Sequence, residues 1–125
     1  MAKAKPILRI LLGLIFFVFG LAFFFIKQPP PQTPEIGAFM SGLGATGYFY
    51  YLLKFTEITC GALLLANLYV PLAMIILSPI IVNIFLFHAF MEHSGLPMAV
   101  IIALLHCTLA YMYRDSFKPI LKVKN

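Results

Sequence analysis

Four apolar runs divide this 125-residue chain, and their lengths restrict what it can fold into. Residues 10–26 are 17 consecutive positions without a polar side chain, bracketed by Arg9 and Lys27 and lengthened by Ile7 and Leu8. Residues 48–70 make a run of 23, residues 71–91 one of 21 and residues 96–113 one of 18. Crossing a hydrocarbon core takes roughly 17–25 residues of helix, so each run is long enough. Lipid offers no partner to an unpaired backbone group, so a spanning segment must be a helix or belong to a closed barrel. None of the runs alternates apolar with polar residues, and four strands would leave open edges. Composition points the same way: 62% of residues are hydrophobic and 10% charged, against about 45–50% and about 25% in a soluble domain. A chain this short has too little interior to hide that surface from water. The expected fold is all-α, one domain over residues 1–125: an integral-membrane four-helix bundle with spans near 7–26, 48–70, 71–92 and 96–113.

Nine Lys and Arg stand against four acids. The excess flanks apolar runs and forms no patch interleaved with aromatics, so no nucleic-acid partner is expected; the bilayer is the partner. Lys3, Lys5 and Arg9 precede the first span, and Arg114, Lys118, Lys122 and Lys124 follow the fourth. An even number of spans puts both termini on one side, and the basic residues there predict that side to be cytoplasmic. The proline-rich loop, residues 27–47, is then external. The first run is expected to be a retained span. It exceeds a signal-peptide core of about 7–15 residues and ends in FFFIKQPPP, without a small-residue cleavage site. Pro29, Pro30 and Pro31 favour a stiff extended segment. Residues 37–47 then either form a short surface helix or dip back toward the bundle. The connections at 67–71 and 93–97 are short, which makes spans two, three and four antiparallel neighbours.

Five polar residues interrupt the runs in a way that calls for partners: Lys54, Glu57, Asn83, His88 and His106. Counted inward from residues 48, 92 and 97, Glu57, Asn83 and His106 each lie nine residues deep, about 13 Å. Lys54 lies six residues in and His88 four. The count predicts one polar level shared by three spans in the outer half of the bundle. A lone charge near mid-bilayer costs about 2.5–3.5 kcal/mol on insertion scales, and Lys54 and Glu57 are spaced to pair on one helix face. Pro79 deprives the Ile75 carbonyl of its helical donor. Each group also has a plain structural role. The ion pair can fix packing, and Asn83 can bond across helices for about 0.6 kcal/mol. His106 can be a satisfied core histidine or a proton-handling group, and His88 can reach the outer interface.

Metal chemistry fits poorly. HAFMEH has neither H-E-x-x-H spacing nor its inverse, no E-x-x-H pair of the di-iron type occurs, and no metal site is expected. His88 and His106 differ by five residues in counted depth, which disfavours axial ligation of haem. Cys60 and Cys107 are counted 12 and 10 residues deep, near enough to approach one another. Without a C-x-x-C they are expected to be small inert core residues.

Residues 48–97 resemble the DoxX-like family of small bacterial inner-membrane proteins. The resemblance is carried by the K-x-x-E pair with a following glycine (Lys54, Glu57, Gly61), the stretch SPIIVNIFLFH and the SGLP turn. The opening LRILLGLIFFVFG, with Arg9, Gly13 and Gly20, is similar to that family's first span. The resemblance implies a four-helix bundle in the bacterial inner membrane, and an association with thiosulfate:quinone oxidation and with thiol or other membrane redox systems. Three classes of function follow. The first is a redox-associated subunit that works with other membrane redox subunits. In it Lys54, Glu57, Asn83, His88 and His106 hold a quinone or similar small molecule. The second is a structural or accessory subunit of a larger membrane complex. The third is a small transporter or proton path through Lys54, Glu57 and His106, which lacks the expected inverted repeat. The first is preferred over the second, and whether the chain is an enzyme is left open.

Overall fold

A computed structural model of the protein describes residues 3–27 and 29–124. The helices, in chain order, are α1 (Ala4–Phe25), α2 (Pro34–Ala45), α3 (Phe49–Ala66), α4 (Val70–Phe90), α5 (Leu96–Met112) and α6 (Arg114–Phe117). A single 3-10 turn, His93–Gly95, leads into α5, and no strand occurs among the described residues. Helices α1, α3, α4 and α5 (the last counted with its leading turn) are long and apolar enough to cross a membrane.

The spans close a ring: α1 packs on α3, α3 on α4, α4 on α5, and α5 returns to α1. At its centre Leu12, Leu64, Ala73, Leu77 and Leu109 are fully buried. Arg9, early in α1, reaches the Leu64 carbonyl late in α3. The Lys5 ammonium lies over the Tyr113 ring, 4.0 Å from its centroid. Both ends of the described chain therefore lie at one end of the bundle, the terminal end. Helix α2 and the His93–Gly95 turn occupy the opposite, loop end.

Lipid tails are as apolar as leucine, so spans associate through close packing more than through the hydrophobic effect. The α1–α3 seam shows how. A Cβ on Gly61 would stand 2.6 Å from the Phe17 amide nitrogen and 2.8 Å from the Gly13 carbonyl oxygen. Both obstacles are backbone and cannot swing aside, so only glycine permits this approach. Arg9 then pins one end of the seam. It is buried and donates through Nη1 to the Leu64 carbonyl and to the Leu65 carbonyl at 3.3 Å. The last carbonyls of a helix lack intrahelical donors and carry its negative dipole end. The guanidinium satisfies both needs.

Asn67 ends α3 in the left-handed region (φ 59), with the Leu68 amide donating back to the Leu63 carbonyl at 2.9 Å. Asparagine tolerates that conformation. Helix α4 restarts at once, with Pro71 in its first turn where no backbone donor is needed. Helix α2 begins at Pro34, ahead of the glycine-rich stretch in which the sequence led us to expect a helix. The Thr33 hydroxyl accepts the Ile36 amide at 3.2 Å, and Pro34 and Glu35 fill the first turn, a combination that starts helices. Tyr50 Oη donates to the Met40 carbonyl at 2.9 Å, tying α2 to α3. The Phe39 and Phe87 rings stack at 5.4 Å, tying α2 to α4.

Candidate functional site

Helix α3 is the least apolar span, with a mean hydropathy of 1.3 against 2.6, 2.5 and 1.8 for the others. Lys54 and Glu57 are the reason. Less than one turn apart, they pair at 3.3 Å between Lys54 Nζ and Glu57 Oε1. The carboxylate is buried, at 4% exposure, while the ammonium extends to 5.9 Å from the Phe23 ring centroid on α1. Glu57 also lines a groove of ≈ 420 Å³ between α3 and α4, together with Thr56, Asn83, Pro79 and, from α2, Phe39 and Leu43. The volume and the mostly apolar wall suit a small-molecule site.

Hydrogen bonding within this groove is incomplete. The Thr56 hydroxyl spends its proton on the Leu52 carbonyl at 2.7 Å. Glu57 Oε2 and the Asn83 side-chain amide make no hydrogen bond among the described residues. A second carboxylate oxygen of the largely buried Glu57 and the amide of the exposed Asn83 thus line one apolar groove.

His106 is elsewhere. Its Nε2 lies 3.0 Å from the Met74 carbonyl oxygen and 3.4 Å from Ser78 Oγ, which itself donates to the Met74 carbonyl at 2.8 Å. These residues line a second groove of ≈ 370 Å³, between α4 and α5 near the terminal end. Ser78 precedes Asn83 by five residues, about 8 Å along the helix. The single polar level expected from the sequence therefore holds for Glu57 and Asn83 but not for His106.

The reason is the α4–α5 connection. His88 Nδ1 lies 3.0 Å from the Glu92 carbonyl oxygen, His93 Nε2 lies 2.9 Å from the Ala89 carbonyl oxygen, and Gly95 packs against the His88 ring. Residues 91–95 thus fold back along the last turns of α4, and α5 starts beside His88 rather than at the helix tip. Depths counted from Glu92 and from Pro97 have different origins.

His88 belongs to this loop-end network, with its Nδ1 also 3.5 Å from Glu92 Oε2. Ser94 bonds Glu92 and accepts from Gln32 Nε2 at 3.4 Å, which fastens the proline-rich loop to the turn. His88 is not a wall of either groove. The two cysteines form no disulfide: Cys60 is free and buried, as a core residue, whereas Cys107 is free and exposed rather than in the core. No three His, Cys, Asp or Glu side chains converge as a metal ion would require, among the described residues. Arg9 was legible in the sequence only as a flanking charge. The glycines that bring α1 against α3 were the signal that its side chain could reach the end of that helix.

Four apolar antiparallel helices, ringed about a leucine-rich core and carrying an internal ion pair beside a lateral groove, define a multi-pass helical membrane protein in contact with lipid. Its family follows from the sequence of the first three spans. The model of the DoxX family matches residues 4–89, and the chain belongs to that family. Lys54, Glu57, Asn83 and His88 lie within the matched residues, and His106 lies beyond them. No curated protein and no solved structure matches the chain.

Proposed function

We propose that this DoxX-family protein is a redox-associated subunit of the bacterial inner membrane, and that its α3–α4 groove takes a quinone or a similar small molecule. One observation carries the reading: Glu57 and Asn83 retain unused hydrogen-bonding capacity and line the same apolar groove. The Asn83 amide can donate to a carbonyl oxygen. The Glu57 carboxylate, its charge balanced by Lys54, can accept from a hydroxyl. Phe39 and Phe49 supply flat apolar walls. In this reading His88 and His106 stay outside the ligand's reach. Seven of the nine basic residues belong to the terminal end, so both termini are assigned to the cytoplasm. A reporter fused to the C-terminus is expected to be active only in its cytoplasmic form.

The test of the site is extraction of the gently purified protein and mass spectrometry of its small-molecule content. Wild-type protein is expected to carry quinone at near-stoichiometric amounts. Replacing a whole buried ion pair by apolar residues is often neutral for folding, so Lys54→Met with Glu57→Leu should stay monodisperse and lose the quinone. Retention of quinone at wild-type occupancy would remove the site. The accessory-subunit reading would then take over. It has its own support, since the Lys54–Glu57 pair closes within the chain at 3.3 Å and can serve packing alone.

A further inference from the structure

The α4–α5 groove differs from its neighbour in what stands at its mouth. Beyond α5 the chain turns back over the terminal end through α6 and the turns that follow. The Leu121 amide donates to the Phe117 and Lys118 carbonyls, each at 3.2 Å, which closes residues 117–121 into a tight loop. Phe117, Ile120 and Leu121 of that loop line the groove, although Ile120 is 63% and Leu121 75% exposed. Two large aliphatic side chains thus hang over a cavity that nothing among the described residues fills. Lys118 precedes them and Lys122 follows them in the chain.

Deeper in, the groove is apolar in effect. His106 Nε2 and Ser78 Oγ are already committed to each other and to the Met74 carbonyl, and the remaining wall there is Met74, Ile75 and Ala110. From Val70 at the helix start to Ser78 is eight residues, a depth of about 12 Å. Such a space accepts a hydrocarbon chain and offers little to a charged polar head. The head must sit at the mouth, where the charge is strongly positive. Seven basic residues belong to this end of the bundle, against the single acid Asp115.

We propose that the α4–α5 groove seats an acidic phospholipid, with one acyl chain running past Ile120 and Leu121 to Ala110 and His106 and the phosphate held by Lys118 and Lys122. The site is separate from the Glu57–Asn83 groove and stands or falls independently of it. Basic residues beside a span attract anionic lipids. The groove turns that general attraction into a bound, counted lipid.

The experiment is native mass spectrometry of the full chain, reconstituted with equal amounts of phosphatidylglycerol and phosphatidylcholine of identical acyl chains. Wild type should retain one phosphatidylglycerol in preference to phosphatidylcholine. Lys118→Ala with Lys122→Ala should lower that retention roughly 10- to 100-fold, and Lys118→Arg with Lys122→Arg should keep it. Ala110→Phe fills the groove without changing charge and should also lower retention. If that variant melts early, Ile75→Phe on the same wall, at a position 40% exposed, repeats the test. Equal retention of both lipids would overturn the seat. So would unchanged retention in a folded groove-filled variant, which would mean surface charge alone attracts the lipid. Displacement by an excess of soluble glycerol phosphate would mean that the phosphate alone is the ligand, and would overturn it too.

Discussion

Two grooves open on the flanks of this bundle, one between α3 and α4, the other between α4 and α5, and they are similar in size at ≈ 420 and ≈ 370 Å³. Each is bounded by a short helical segment from the adjoining polypeptide, α2 at the loop end and the α6 region at the terminal end. Each also contains polar side chains on an otherwise apolar wall. In the terminal-end groove His106 Nε2 and Ser78 Oγ have partners, since both converge on the Met74 carbonyl. In the loop-end groove Glu57 Oε2 and the Asn83 amide have no partner among the described residues. An unpaired polar group in hydrocarbon costs free energy that a paired one does not. The satisfied groove therefore needs only an apolar occupant, while the other gains from one with a hydrogen-bonding head. Size is shared between them, and what each is suited to hold differs through the bookkeeping of hydrogen bonds.

The sharpest way to break this contrast is to remove one charge. Glu57→Leu leaves Lys54 without its partner, and breaking a buried pair on one side costs about 3–5 kcal/mol. Lys54 is only partly buried, with 21% of its side chain exposed, so the lower part of that range is expected in detergent unfolding. The double replacement with Lys54→Met should recover most of the loss. If the single variant were no less stable than the double, the pair would not be what fixes Glu57 at the groove.

His106→Phe comes next. It removes an interhelical hydrogen bond, an interaction worth about 0.6 kcal/mol on average and up to about 1.7. A lower melting temperature with unchanged quinone content is expected. Lost quinone in a stable His106→Phe protein would join the two grooves into one site. Asn83→Leu should do the converse. Its amide bonds nothing among the described residues, so stability should stay within about 0.5 kcal/mol of wild type, while quinone retention falls. A clear loss of stability would give Asn83 a packing role instead.

The span pattern was readable because bilayer thickness sets a length and lipid forbids unpaired backbone, two constraints that act on runs of residues rather than on contacts. The Lys54–Glu57 pair was readable for a similar reason, since helical spacing alone brings those residues together. What failed was depth across helices. Glu57 and Asn83 do face one groove, but His106 does not, because the fold-back of residues 91–95 shifts α5 along α4 and no local pattern announces that shift. The partner of Arg9 was hidden in the same way. The burial of Arg9 depends on Gly13 and Gly61 allowing α1 and α3 to approach, a pairwise property invisible in either helix alone. The start of α2 was written in the sequence as Thr33, Pro34 and Glu35, and was overshadowed by the glycines after it.

The smallest expected effect concerns the one acid at the terminal end, and it sharpens the account of the second groove. Asp115 Oδ1 accepts from Lys118 Nζ at 2.9 Å. That hydrogen bond and the charge behind it hold the Asp115 carboxyl below the usual carboxylate range. A carboxyl with a lowered folded-state pKa adds stability above the ordinary range and loses it as pH falls through the lowered value. Here the pair is mostly exposed, 71% for Lys118 and 83% for Asp115, and such pairs contribute little. Asp115→Asn should therefore melt with wild type at pH 7, and the two curves should still coincide below the carboxylate range. The change it does make is to the lysine. Freed from its partner, Lys118 can turn wholly to a lipid phosphate, and phosphatidylglycerol retention should rise, by up to about five-fold. If Lys118→Ala lowers retention while Asp115→Asn leaves it unchanged, Asp115 does not compete for that lysine. The phosphate would then be held with the ion pair intact.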